Sequence, residues 1–224
     1  MKTIVFAASK GGTGKSTLCF NVAIEASRRH QVFLADLDPQ QSLKRMWDTR
    51  NDMINPRLVT KVTDLGQSVK LLTEAGYDRE YMFVDTPGSF LDHIARTAAA
   101  ADLIVAPVQP SPVDWRAQMD LCEKIVEMGM RHRLLVVVNK AETKSDLVER
   151  TKGFFEMYSD FEVEVVKDRV DYKKGAEVGK AAFEVGGNKD AAKEIRVLWD
   201  AIKNALATAS AKKEATVHDR KQIH

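Results

Sequence analysis

Lys10-Gly11-Gly12-Thr13-Gly14-Lys15-Ser16-Thr17 packs two ammonium groups, three glycines and three hydroxyls into eight consecutive residues. Such a mixture suits the holding of phosphates. Gly11, Gly12 and Gly14 permit backbone angles that a β-carbon would obstruct, so successive N–H groups can turn inward onto anionic oxygens. Lys15 is placed to reach the β- and γ-phosphates of a nucleotide, the Ser16 hydroxyl to bind Mg²⁺, and Thr17 to donate to the α-phosphate. Two carboxylates alternate onto one side of Ala35-Asp36-Leu37-Asp38-Pro39-Gln40, and a third heads Asp85-Thr86-Pro87-Gly88. Carboxylates near a phosphate site are costly unless a cation or a bound water uses them. Either Asp36 or Asp38 could instead cap a helix starting near Gln40.

These groups act together only if the fold brings them to one place. Strand-like apolar runs occur at 3–8, 31–35, 81–84, 103–106, 134–138 and 163–166, with helical patterns around 16–29, 64–75, 91–100, 113–128, 145–158 and 189–207. Leu134-Leu135-Val136-Val137-Val138 is apolar at every position, which marks a strand buried on both faces and so a mostly parallel sheet. The expected fold is α/β: a doubly wound, mostly parallel sheet flanked by helices, with ligand loops at the carboxyl ends of the strands. Leu18, Val22 and Ala26 line one face of the first helix; Ile195, Leu198, Trp199, Ile202 and Leu206 form a stripe expected to dock on the sheet. Residues 1–207 read as one domain and 208–224 as a flexible polar tail.

Composition narrows the class further. At 224 residues with 44 % apolar content the chain can bury a proper core, and its net charge of +2 favours no particular partner. No run reaches the length of a membrane span, and a strand and loop occupy the place of a secretory signal. Cys19 and Cys122 lie far apart in helical segments and suit a reducing cytosol.

Strand, glycine-rich loop and helix in that order resemble the phosphate cradle of P-loop nucleotide hydrolases. The position five residues before Gly14, usually glycine, is Ser9, while a second lysine, Lys10, stands directly before Gly11-Gly12. This departure resembles the deviant Walker A box of the ParA/MinD family, which includes partition ATPases, division-site ATPases and nitrogenase iron protein. The resemblance covers about residues 2–206 and is nearest to the small ParA-type partition ATPases.

The family's pattern implies a role for each matching residue. Lys10 would cross a dimer interface to the partner's nucleotide, and Asp38 would orient or activate the attacking water, with Asp36 supporting the Mg²⁺ shell. Tyr81 to Asp85 resembles a Walker B strand, so Asp85 would hold Mg²⁺ through a water and Gly88 would offer its N–H to the γ-phosphate. Pro107 to Pro112 resembles the proline-containing loop beside the nucleotide and dimer interface. Asn139 matches an asparagine that reads the adenine edge, though a polar residue ending a strand can equally cap a turn. Position 142 is Glu, which breaks the Asn-Lys-x-Asp guanine box and favours ATP over GTP.

The function so implied is an ATP- and Mg²⁺-dependent ATPase of the cytoplasm and nucleoid. It would be slow alone, a homodimer when ATP-bound, attached to DNA without sequence preference, and stimulated by a ParB-like or adaptor protein. Asp171 to Gly179 also resembles the stretch before the last helices of such proteins. Without the N-terminal helix-turn-helix region of larger partition ATPases, operator-specific repression is not expected. Lys167, Arg169, Lys173, Lys174 and Lys180 form the best local basic cluster for DNA, or merely a solvated face. Three alternatives belong to other classes. A MinD-like membrane ATPase needs an amphipathic end, and 208–224 offers only Val217 and Ile223 as sizeable apolar groups, so no stable membrane association is expected. An iron–sulfur carrier needs cysteines that Cys19 and Cys122 do not supply by position. A metabolic enzyme of the same superfamily needs substrate residues that the sequence does not display.

Overall fold

The computed structural model describes residues 1–50, 54–60, 62, 64–88, 97–142, 145–159, 161–186 and 189–221. Its frame is a seven-stranded sheet in the order β3-β2-β4-β1-β5-β6-β7. The strands are β1 (Lys2–Phe6), β2 (Val32–Asp36), β3 (Arg57–Val59), β4 (Tyr81–Asp85), β5 (Leu103–Val108), β6 (Leu134–Ala141) and β7 (Glu162–Lys167). Every adjacent pair runs parallel. Both faces must therefore be covered, and alternation along each strand sorts the side chains between them. Ile4, Phe6, Leu34, Phe83, Val105, Leu135 and Val137 face one apolar layer; Val5, Phe33, Val84, Ile104, Val136 and Val138 face the other.

The first layer is closed by α1 (Lys15–Ser27), α2 (Ser42–Thr49) and α7 (Lys189–Lys221). Ile195, Leu198, Trp199, Ile202 and Leu206 are all buried, as their spacing predicts, and Trp199 packs edge-on to Tyr81 with ring centroids 5.0 Å apart. The second layer is closed by α3 (Leu65–Glu74), α4 (Pro112–Glu127) and α5 (Asp146–Ser159). A short helix, α6 (Val170–Glu177), follows β7.

Two features depart from the sequence reading. The chain from 208 to 221, expected as a loose tail, continues α7 as helix. Its Ala, Lys and Glu residues are strong helix formers, with no glycine or proline to end the helix. Ala209 is buried and Ser210 Oγ accepts from Lys2 Nζ at 3.0 Å, which ties this extension to β1. The edge strand β3 is too short to show a period. It is set by Asn55, whose side chain takes the Val32 N–H and gives to the carbonyls of Ser27 and His30. Most of the helix expected at 91–100 lies outside the described residues.

Candidate nucleotide site

The sheet order collects the candidate residues. β4 lies between β2 and β1, and its last residue, Asp85, is in register with Asp36 on one side and Phe6 on the other. The buried Thr86 hydroxyl donates to the Phe6 carbonyl at 2.8 Å, which fixes the end of β4 against the strand that feeds the glycine loop. β1 is also where the chain order reverses, the place where open parallel sheets bind ligands.

Within the loop, glycine is required at specific positions. Gly12 has φ +79° and Gly14 φ +92°, and Gly14 is the residue from which α1 starts. Gly11, expected to need the same freedom, does not have a positive φ, and a β-carbon there would meet nothing within 4 Å. Gly88 stands against the loop, where a β-carbon would lie 2.9 Å from the Gly11 nitrogen and the Lys10 carbonyl. At Gly14 an added carbon would strike Asn139 Nδ2 at 2.2 Å. Gly14→Ala is therefore expected to destabilise the chain by about 1–2 kcal/mol from the left-handed backbone alone, and further through displacement of Asn139. Thermal unfolding checks this, and Asn139→Ala in the same chain should recover only the steric part.

Lys15 is buried at the first turn of α1, beside Asp85. Asp85 is fully buried, and neither of its carboxylate oxygens has a hydrogen-bond partner. Burial pushes its carboxyl up to about 7; nearby Asp36 and Asp38 add to this, whereas the Ser16 hydroxyl and Lys15 work the other way. Two orphaned anionic oxygens beside a hydroxyl are what a divalent cation satisfies. Ser16 and Asp85 thus fit Mg²⁺. Among the described residues no three acidic, histidine or cysteine side chains converge to hold a metal by themselves.

Asp36 and Asp38 play structural parts as they stand. Asp36 accepts the Asp38 N–H at 3.0 Å with one oxygen and the Lys44 N–H, in the first turn of α2, at 2.9 Å with the other. Burial raises its pKa, the two N–H groups lower it, and Asp38 raises it. Asp38 accepts the Gln40 N–H at 2.9 Å. Both are half-buried at the strand end, so each carboxylate retains lone pairs for water.

Asn139 reaches the loop itself, with Nδ2 donating to the Thr13 carbonyl at 2.8 Å. It borders a cavity of about 160 Å³ lined by Gly14, Thr17, Lys140, Lys167, Asp168 and Tyr172. Three residues to which motif reading gave no role also grip the loop. Lys140 Nζ donates to the Gly12 carbonyl at 2.6 Å from a residue whose own φ is +55°. Gln109 Nε2 donates to the same carbonyl at 2.9 Å. Gln118, 1 % exposed, accepts the Ser9 N–H at 3.1 Å. Lys10 Nζ lies 3.2 Å from Asp114 Oδ1, directed away from its own loop and onto α4. A sequence signal did exist for Gln118, since it occupies a core position in the helical period of Leu121, Cys122 and Ile125. A glutamine there needs a buried polar partner.

The basic residues expected near 167–180 are differently engaged. Arg169 is engaged by Glu194 at 2.6 Å and by Asp190 at 3.4 Å. Lys173 lies 3.7 Å from Asp168, and both border the cavity beside the loop together with Lys167. Lys174 and Lys180 are exposed. Among the described residues no helix is long and apolar enough to cross a membrane.

A glycine loop opening a buried helix, a partnerless carboxylate on the adjacent strand and an all-parallel sheet define a nucleotide-binding α/β domain of the P-loop class. More narrowly, residues 4–214 match the CobQ/CobB/MinD/ParA nucleotide binding domain, and the chain belongs to that family. It is 28 % identical over 212 residues to the maintenance of carboxysome distribution protein A of Halothiobacillus neapolitanus, covering 89 % of this chain and 95 % of that one. The fold is shared with MinD in the MinC:MinD cell division complex of Aquifex aeolicus, at TM-score 0.70 and 16 % identity over 96 % of each chain. It is shared as well with a plasmid partition protein of Borrelia burgdorferi B31 bound to AMPPNP, at TM-score 0.65 and 17 % identity, covering 95 % of this chain and 99 % of that one.

Proposed function

We propose that this chain is a ParA-type positioning ATPase that dimerises on ATP, hydrolyses it slowly and releases its cargo track when a partner protein stimulates turnover. The observation that carries this is the paired arrangement of Lys15, buried beside a carboxylate with no other partner, and Lys10, turned outward from the same loop. One lysine suffices to bind phosphates; the second rests on α4 with its side chain 38 % exposed. In support stand the family membership and the relatives, whose names concern carboxysome distribution and plasmid partition.

In this assignment the loop N–H groups and Lys15 hold the phosphate chain, and Gly88 gives its N–H to the terminal phosphate. Ser16 and Asp85 would hold Mg²⁺, supported by Asp36. Bound there, the ion would neutralise charge developing on the transferring phosphoryl oxygens. Asp38 orients the water, and Asn139 reads the base with whatever amide capacity the Thr13 carbonyl leaves free. Lys10 reaches the nucleotide of the second copy. Unassisted turnover is proposed to be slow and to be completed by a partner.

Asp38→Ala should retain nucleotide binding and accumulate as a dimer in Mg·ATP, because closure no longer leads to hydrolysis. Size-exclusion chromatography with ATP, ADP or no nucleotide checks this, and a single-chain elution volume in all three would refute it. DNA attachment is proposed to require ATP and to be electrostatic, its log affinity falling by about 0.9 per log unit of salt for each phosphate neutralised. A salt titration in which apo, ADP and ATP forms bind DNA alike would rule it out. The five basic residues between 167 and 180 remain the candidates for that surface, with Lys173, Lys174 and Lys180 the exposed ones.

A further inference from the structure

Lys10 is held before any second copy arrives. Its Nζ lies 3.2 Å from the Asp114 carboxylate and 3.2 Å from the Val113 carbonyl, both in the first turn of α4. A helix N-terminus favours anions and disfavours cations, so an ammonium docked there sits against the local field. The Asp114 carboxylate, beside the Val113 carbonyl, supplies the negative charge that makes the position favourable. One turn further along the same helix Gln118 takes the Ser9 N–H, and just before the helix Gln109 gives to the Gly12 carbonyl. The first half of the phosphate loop is therefore referenced to α4 residue by residue.

We infer that Asp114 is a latch: it keeps Lys10 on its own subunit in the nucleotide-free chain and gives it up when two copies close on ATP. This rests on the proposal that Lys10 acts across a dimer. Lys10 can satisfy either the Asp114 carboxylate or another copy's phosphates, so closure must break the contact on both subunits. The two side chains are 38 % and 22 % exposed, so the pair is screened by solvent and sets a threshold rather than a block. At about 0.5 kcal/mol for each exposed pair, opening the pairs on both subunits should move the protein concentration at half-dimerisation by about fivefold, equivalent to about 1 kcal/mol in all.

Asp114→Asn keeps the size of the side chain and removes its charge. With Mg²⁺ and a nonhydrolysable ATP analogue, sedimentation velocity should place its half-dimerisation at a several-fold lower protein concentration than the parent. In nucleotide-free protein, amine-directed acylation read by mass spectrometry should modify Lys10 several-fold faster. Asp114→Glu, which restores the charge, should behave as the parent in both, and high salt should erase the difference. An unchanged or raised midpoint in Asp114→Asn overturns the latch, whether or not labelling accelerates; unchanged labelling overturns it equally. Lys10→Ala separates the two ideas. If it dimerises like the parent, the cross-subunit role of Lys10 fails; if it loses the dimer while Asp114→Asn does not lower the midpoint, only the latch does.

Discussion

Lys15→Ala is expected to lose at least about a hundredfold in nucleotide affinity with little change in fold. Charge-assisted hydrogen bonds contribute about 1.5–3 kcal/mol each, and this ammonium would make such bonds to two phosphates. The side chain is buried at the first turn of α1, where alanine is a good helix former. Its removal withdraws the nearest cation from Asp85 and so favours the protonated carboxyl still more. Titration with a fluorescent ATP analogue, alongside far-ultraviolet circular dichroism, separates lost binding from lost structure. Affinity within a few-fold of the parent would mean that the loop does not hold the phosphates.

Asp85→Asn should produce opposite effects on stability and activity. The carboxyl rises from 3.8 to about 7 on folding, so between those values the folded chain holds a proton that the unfolded chain has released. Stability then falls as pH rises through that window, and the full cost is present above about 7. A shift of this size corresponds to about 4 kcal/mol. The asparagine variant should accordingly be more stable than the parent by up to about 4 kcal/mol at pH 8, with the gap narrowing as pH falls and closing near pH 4. Mg²⁺-dependent hydrolysis should be lost in the same variant, because the two orphaned oxygens are what the cation would use. Denaturant unfolding across that pH range tests the first half. A variant less stable than the parent at pH 8, or a gap that ignores pH, would show that Asp85 already has a partner.

How much of this was legible in the sequence depends on whether the demand was local. The phosphate loop needs glycines, lysines and hydroxyls in a fixed run, so Lys10 to Thr17 declares itself, as do the buried strands whose every position is apolar. Asp85 was readable because a strand buried on both faces has no ordinary reason to end in a carboxylate. Asp36 and Asp38 were half legible: position identified them, but not that each would be taken up by backbone N–H groups around α2. The grip of α4 was not legible. Ser9 and Gln118 are 109 residues apart, and Lys10 and Asp114 are 104 apart, so only the placement of β5 beside β1 brings them together. Lys140 was missed for a backbone reason, since a lysine at φ +55° gives no sign of its conformation in the sequence. The end of α7 is not legible from polarity, because the helix propensity of its Ala, Lys and Glu residues outweighs it.

The tenth residue of one chain is proposed to complete the nucleotide site of another. Sedimentation velocity of the parent and of Lys10→Ala, each with Mg²⁺ and a nonhydrolysable ATP analogue, tests it most directly. The parent should shift from one chain to two, and the variant should bind the analogue yet remain a single chain. A parent that stays monomeric under saturation, or a variant that pairs as readily as the parent, would contradict the account.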